Sequence, residues 1–246
     1  MRIVGISGRK QAGKNTAANY INGDILKSKE MIEDFFIEKD GSLAVKTKDI
    51  SGQAGYGIFD VTRKDPIFVE YAEKELWPYI KVYHFADPLK ELAIGLFGLD
   101  AKLVYGSNED KNQKTEFRWC DIPSGKDSDD NLSIREFLEY LGTTIIRKIK
   151  SNAWAEYTIK KIVADGSEVA VIPDVRFPNE VKAIKDAGGI VVRLTRDIFN
   201  SNFEAESALD KENYDWANFD LILDNEDLNI EQLCELLKCN SRIWSI

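Results

Sequence analysis

Among its 246 residues the chain has one histidine, three cysteines and two methionines. The cysteines (Cys120, Cys234 and Cys239) are few, odd in number and not spaced like metal ligands, so we expect reduced thiols and no zinc site. A single histidine, His84, disfavours a His-centred catalytic triad. No apolar run approaches the roughly 20 residues that cross a bilayer, and residues 1–7 are too short for a signal peptide. We therefore expect a cytoplasmic protein without a membrane partner.

An excess of basic residues is also lacking. Lys and Arg number 33 and Asp and Glu 42, which gives a formal net charge of −9. A nucleic-acid backbone would be repelled except at a local basic patch, so broad nucleic-acid binding is not expected. A small anionic ligand remains compatible with this charge if backbone dipoles and a few cations are focused in one cleft.

Short apolar segments alternate with segments of helical periodicity along the chain. Buried-type strands in this alternation predict an α/β fold with a five-stranded parallel sheet and helices on both faces. Ligands of such sheets bind beyond the carboxyl ends of the strands. The predicted strands are Arg2–Ser7, 81–85, 168–173, 190–194 and 219–223.

Two regions interrupt the alternation. Residues 23–79 contain a helical-looking stretch at 31–36, followed by segments 42–48 and 56–62 that predict a β-hairpin. Residues 100–131 are polar; Ser133 and Glu136 after them form a capping-box pattern that opens a helix, which Gly142 is expected to interrupt. We expect one domain over residues 1–246, with an insertion at about 23–79 and an acceptor or lid region at about 99–165.

The strongest motif is the glycine-rich sequence of residues 8–16, Gly-Arg-Lys-Gln-Ala-Gly-Lys-Asn-Thr, between a predicted strand and a predicted helix. It has the G-x-x-x-x-G-K core of a P-loop, whose amides and helix N-terminus bind phosphate oxygens. Lys14 would reach the β- and γ-phosphates of a nucleotide, and Thr16 is the candidate for Mg²⁺. A chance glycine-rich turn is the alternative. The candidate donor-binding residues are Gly8, Lys10, Ala12, Gly13, Lys14, Asn15 and Thr16.

Charged residues follow two of the other predicted strands. Asp174 can hold Mg²⁺ or orient an acceptor, and Arg176 can bind phosphate oxygens; the alternative is a helix cap beside a surface arginine. Asp87 either caps a helix or lies in the site, and Lys90 one turn later could reach an anionic acceptor.

Further cations and aromatic residues are candidates on residue type. Phosphoryl transfer between nucleotides gathers negative charge that arginines neutralise, which makes Arg118, Arg135 and Arg147 candidates, although each could be a surface residue. Trp154 could stack on a base, with a core position as the alternative.

In residues 2–20, 85–92, 135–147 and 172–196, and more loosely 206–237, the chain resembles the deoxynucleoside monophosphate kinases of tailed bacteriophages. The resemblance implies a three-layer nucleoside monophosphate kinase-type fold, ATP as donor, Mg²⁺ as cofactor and a deoxynucleoside monophosphate (dNMP) as acceptor. It implies catalytic roles for Lys14, Arg118, Asp174 and Arg176. Members of that family are often dimeric, so a homodimer is a further expectation. The acceptor residues that it implies, together with Arg135, are Lys90, Arg118, Gly142, Thr143, Trp154, Asp174 and Arg176.

The chain also departs from that family. Asn15 stands where an aspartate is expected after the lysine, and the segment 23–79 is longer than the family needs. We interpret this segment as a peripheral elaboration and a candidate oligomer contact. Three alternatives stay open: a kinase of another small phosphate acceptor such as dephospho-coenzyme A, a nucleotide-hydrolysing switch, and a binding protein that has lost catalysis. The Asn-Lys-x-Asp guanine motif of GTPase switches is absent from the sequence.

Overall fold

A computed structural model describes residues 1–48, 52–123, 125–198 and 207–245. The described chain forms two compact units. The first comprises residues 1–84 and 159–246, and the second comprises residues 85–158. Within the described ranges, no helix has both the length and the apolar character needed to cross a membrane.

The first unit contains a five-stranded sheet in which every neighbouring pair is parallel, which confirms the predicted fold class. The strand order is β10-β9-β1-β8-β5, so β1 is central. Three predicted strand ends shift: the second strand stops at Val82, the third continues to Val175, and the last begins at Leu221. The strands are β1 (Arg2–Ser7), β5 (Ile80–Val82), β8 (Val169–Val175), β9 (Ile190–Leu194) and β10 (Leu221–Leu223).

Helices cover both faces of this sheet. Val4 and Ile6 of β1 belong to one apolar core together with Ile21 of the first helix and Leu233 of the last. Gly5 faces the opposite side, where a Cβ would lie only 2.6 Å from Cδ1 of Ile184. The helices of this unit are α1 (Lys14–Ser28), α2 (Pro66–Glu75), α9 (Pro178–Asp186) and α10 (Ile230–Cys239), and α8 (Ala153–Asp165) ends in it.

The insertion between α1 and β5 contains a three-stranded antiparallel sheet of β2 (Asp34–Ile37), β3 (Leu43–Lys48) and β4 (Ala54–Ile58), which α2 follows. The helical interpretation of residues 31–36 is wrong, because Asp34–Ile37 form β2, in which successive side chains point to opposite faces. Phe35 packs against the core, whereas Phe36 is 41% exposed and its ring centroid lies 5.0 Å from that of Tyr56.

The second unit has its own core, in which the rings of Phe97, Phe117 and Phe137 are in contact. The predicted capping box is confirmed: the Ser133 N–H donates to Oε2 of Glu136 at 2.7 Å, and the Glu136 N–H donates to the Ser133 hydroxyl at 3.2 Å. The elements are α3 (Asp87–Phe97), α4 (Ala101–Tyr105), α5 (Asn108–Lys111), β6 (Lys114–Arg118), β7 (Asn131–Ser133), α6 (Ile134–Glu139), a π-helical segment (Tyr140–Ile146) and α7 (Arg147–Ile149), followed by the start of α8.

Candidate functional site

The glycine-rich loop, residues 8–16, joins the central strand β1 to α1 as a tightly packed turn. Gly13 has φ +93°, which favours glycine, and Gln11 also adopts a left-handed conformation with φ 60°. A Cβ on Gly8 would lie 3.0 Å from the Cβ of Ala12 and 3.3 Å from the carbonyl oxygen of Leu194. The loop therefore requires glycine at two positions, one for its backbone conformation and the other for close packing.

Lys14, the first residue of α1, folds back across this loop. Its Nζ donates to the carbonyl oxygens of Gly8 at 2.7 Å and Arg9 at 2.6 Å. The helix begins after Gly13 without a side-chain cap, so the amides of its first turn suit an anionic acceptor. Of the other predicted donor-binding side chains, Lys10 and Asn15 are exposed and Thr16 is half-buried.

The β1–β8 register brings Asp174 and Arg176 to the same sheet edge as this loop. Ser7, the last residue of β1, is paired with Val175. The sequence placed Asp174 after its strand, but β8 includes it, and its side chain is half-buried. Both predicted residues therefore lie beside the start of the glycine-rich loop.

Glu180 of α9 fixes the backbone that follows Asp174. The residue is 2% exposed, and its Oε2 accepts the backbone N–H groups of Arg176 at 2.8 Å and Phe177 at 3.1 Å. This buried carboxylate was not among the residues predicted from the sequence. A Glu three residues into a helix that begins with Pro is the signal that could have identified it.

Removal of this carboxylate gives a testable local effect. We expect Glu180→Ala to lower the free energy of unfolding by about 1–3 kcal/mol, because two partly buried N–H groups lose their acceptor. Hydrogen exchange should accelerate at the amides of Arg176 and Phe177. Glu180→Gln is the matched control, since it keeps one acceptor oxygen and should lose less. Unchanged exchange at both amides in Glu180→Ala would contradict this role for the carboxylate.

An ionic network that the sequence did not predict holds the second residue of the loop. Arg9 pairs with Asp210 at 2.5 Å and with Asp197 at 2.8 Å. Asp210 also pairs with Arg193 of β9 at 3.0 Å, and Arg193 donates to the Ser7 hydroxyl at 3.0 Å. Hydrogen bonding to Asp210 raises the pKa of Arg9, whereas burial lowers the pKa of Arg193. An arginine within an apolar strand was the available sequence signal.

Asn225, in the segment after β10, supports the loop from another direction. It is fully buried, and its Nδ2 donates to the carbonyl oxygen of Ala12 at 2.8 Å. Its Oδ1 accepts the backbone N–H of Arg196 at 3.0 Å. The loop is thus fixed by the segments that follow both β9 and β10.

In the second unit, the charges of Lys90 and Arg135 act on Lys111. Lys90 lies 3.6 Å from a carboxylate oxygen of Asp87 and 4.8 Å from the centroid of the Tyr105 ring. Asp87 is the first residue of α3, and the N-cap position before it is occupied by Ala86. Burial, followed by the charges of Lys90 and Arg135, lowers the pKa of Lys111. Repulsion within such a group favours an anionic ligand, which makes Lys111 a further candidate. It was not predicted from the sequence, because no local pattern distinguishes it within a polar, charged segment.

Two other predicted acceptor residues are in contact. The indole N–H of Trp154 donates to the carbonyl oxygen of Gly142 at 3.3 Å. Gly142 does not interrupt the helix; it lies in the π-helical segment, where a Cβ would meet Cδ2 of Leu89 at 2.6 Å. π-Helical segments are rare in proteins, and those that occur are often found at functional sites. Thr143, the next residue, is exposed.

The remaining predicted arginines have local partners. Arg118 is exposed and donates to both carboxylate oxygens of Asp121, at 2.8 and 3.1 Å. These hydrogen bonds to Asp121 raise the pKa of Arg118. Arg135 donates to Oδ1 of Asn108 at 2.9 Å. Either side chain would have to exchange these partners to bind a nucleotide.

The residues at the glycine-rich loop fit a nucleoside triphosphate. The αL glycine, the uncapped helix start and the amine of Lys14 together suit phosphate oxygens. Mg²⁺ in such sites usually keeps several waters and is bound by one or two carboxylates together with substrate phosphates. The Thr16 hydroxyl and the Asp174 carboxylate are the oxygens that would hold it here. Within the described ranges, no group of three or more His, Cys, Asp and Glu residues is arranged to hold a metal by itself.

The chain is also similar to proteins described as nucleotide kinases. Residues 80–236, more than half of the chain, match the deoxynucleotide monophosphate kinase family. A relative described as a putative deoxynucleotide monophosphate kinase, from Acanthamoeba polyphaga mimivirus, is 26% identical over 170 residues, which is 63% of this chain and 80% of the relative. This confirms the resemblance, while a phage origin stays a prediction. The chain belongs to the deoxynucleotide monophosphate kinase family and is a phosphotransferase that acts on deoxynucleoside monophosphates.

Proposed function

We propose that the protein transfers the γ-phosphoryl group of ATP to a deoxynucleoside monophosphate, with Mg²⁺ as cofactor. The observation that carries this proposal is the glycine-rich loop beside the strand end that contains Asp174. The family match begins at residue 80, so the donor assignment depends on the geometry of residues 8–16. We interpret this loop as a P-loop.

In this mechanism the loop amides and Lys14 bind the β- and γ-phosphates and stabilise the charge that develops during transfer. Lys14 would exchange its bonds to the Gly8 and Arg9 carbonyls for phosphate oxygens. Mg²⁺, when bound, would neutralise charge on those oxygens, held through Asp174 and Thr16. Arg176, at the same strand end, would donate to phosphate oxygens.

The acceptor is proposed to be bound by residues of the second unit. Lys90, Lys111 and Arg135 offer positive charge to its phosphate, and Trp154 offers an aromatic surface. The acceptor phosphate needs no general base, because its second pKa of about 6 leaves it largely ionised at neutral pH. Thr143 and Arg118 stay predicted acceptor residues, and a homodimer stays a prediction.

An acceptor panel tests this function. ADP release from ATP and Mg²⁺ should depend on added acceptor and should be faster with at least one dNMP than with the matching ribonucleotide. Dephospho-coenzyme A belongs in the panel as a different phosphate acceptor. ADP release without any acceptor, at the rate seen with dNMPs, would instead identify a nucleotide-hydrolysing switch.

A further inference from the structure

The β2–β3 hairpin of the insertion ends in a tight turn, residues 38–42, which we call the hairpin tip. The Glu38 N–H donates to the Ser42 carbonyl at 2.8 Å, and the Gly41 N–H donates to the Glu38 carbonyl at 2.9 Å. The tip precedes residue 80, so it lies outside the residues that match the family. The contacts of the tip within the first unit define its position.

The hairpin is packed along α1. Lys27 near the end of α1 pairs with Asp34 at the start of β2, at 2.6 Å. About two turns earlier in α1, the ring of Tyr20 meets the ring of Phe35 of β2 edge to face, with centroids 5.5 Å apart. Gly23 makes room for that ring, since a Cβ there would lie 2.3 Å from Phe35. Because of these contacts, β2 lies along α1 and extends towards the start of that helix.

At the start of α1 the tip reaches the glycine-rich loop. The side-chain amide of Asn19 donates to the Gly41 carbonyl at 2.9 Å. A Cβ on Gly41 would lie 2.6 Å from Oγ1 of Thr16, 3.6 Å from its Cβ and 4.0 Å from its Cγ2. The hydroxyl, rather than the methyl group, is thus the part of Thr16 nearest to the tip. Gly41 is buried with φ +90°.

We propose that the hairpin tip is a positioning element of the donor site: Gly41, held by Asn19, sets the space in which the Thr16 hydroxyl turns towards Mg²⁺-bound phosphates. This inference rests on the proposed function, because it assigns Thr16 to the donor. Gly41 and Asn19 are positioning residues and do not touch the nucleotide. The insertion, which the sequence suggested was peripheral, thereby acts on Mg²⁺-dependent ATP binding.

Three glycine and asparagine variants test the proposal. Gly41→Ala places a methyl group against the Thr16 hydroxyl. Gly52→Ala is the matched control, because Gly52 lies in the same insertion with φ +83° but has nothing within 4 Å of an added Cβ. It reproduces the backbone strain without the contact. Asn19→Ala removes the bond to the tip without adding volume, so it keeps the test open if Gly41→Ala does not fold.

The primary measurement is calorimetric ATP binding with Mg²⁺ and with EDTA. We expect Gly41→Ala to weaken binding about tenfold with Mg²⁺, the size of effect seen when a partner that orients a metal ligand is lost. It should change binding little in EDTA, and Asn19→Ala should shift binding in the same direction. Gly52→Ala should match the wild type in both conditions.

Two outcomes would overturn the inference. One is equal loss in Gly41→Ala and Gly52→Ala, which would assign the effect to backbone strain. The other is the same loss with and without Mg²⁺ in Gly41→Ala and Asn19→Ala. Because binding is measured directly, a wild-type protein that binds Mg²⁺-ATP but phosphorylates no dNMP would refute the proposed function alone, and the binding comparison would still decide the role of the tip.

Discussion

Lys14→Ala is expected to lower kcat for dNMP phosphorylation about 100- to 1,000-fold, the loss typical when one preorganised charge aimed at the transition state is removed. The amine of Lys14 lies over the loop, 2.7 Å from the Gly8 carbonyl and 2.6 Å from the Arg9 carbonyl. On the proposed function, this amine would exchange the two carbonyls for β- and γ-phosphate oxygens. The measurement is ADP release at saturating ATP and dNMP.

The control separates the position of this charge from the charge itself. Lys74 of α2 is exposed and forms an i,i+4 pair with Glu70 at 2.9 Å, an interaction that contributes little to stability. Lys74→Ala removes the same charge from the same unit and should keep wild-type kcat. Circular dichroism should show that both variants fold. A folded Lys14→Ala protein with near-wild-type kcat would remove the loop from the mechanism.

The main features of the proposed donor site could be read from the sequence because they are encoded locally. The glycines at 8 and 13, the lysine at 14 and the switch from an apolar strand to helical periodicity all lie within one short segment. The position of Asp174 and Arg176 beside the loop could be predicted because parallel strands place their carboxyl ends at one edge of a sheet, and the register of β1 and β8 confirms that position.

What supports the loop could not be predicted, because it depends on residues far apart in the sequence. Arg9 and Asp210 are separated by 201 positions, and Ala12 and Asn225 by 213. Nothing local distinguishes Asp210 or Asn225 from surface residues in acidic segments. Their roles follow from the sheet order, which places β9 and β10 on one side of β1.

The errors within the insertion and the second unit have local causes. Residues 31–36 contain enough apolar side chains for either a helix or a strand, and short segments of this kind are ambiguous. The π-helical segment has no simple sequence signal; the Gly142 that suggested a break instead permits close packing against Leu89. The contact between Gly41 and Thr16 depends on how the hairpin lies along α1, which no local pattern specifies.

The second large effect is expected from the ionic network behind the loop. Asp210→Ala should lower the free energy of unfolding by about 3–5 kcal/mol, since removal of one member of a buried ion pair leaves the other charge uncompensated. Arg193 is 4% exposed and Asp210 7% exposed, so water cannot readily replace the lost carboxylate. Urea denaturation followed by tryptophan fluorescence measures the change.

Asp186→Ala is the matched control, because Asp186 pairs with Lys182 at 2.6 Å while both side chains are more than half exposed. Its loss should stay below about 1 kcal/mol. Asp210→Asn should fall between the two variants, since it keeps an acceptor oxygen but no charge. Equal destabilisation by Asp210→Ala and Asp186→Ala would mean that solvent compensates Arg193. A large loss in Asp210→Ala alone would show that the stability of the fold depends on the carboxylate that joins Arg193 to Arg9, which lies 201 positions away in the chain.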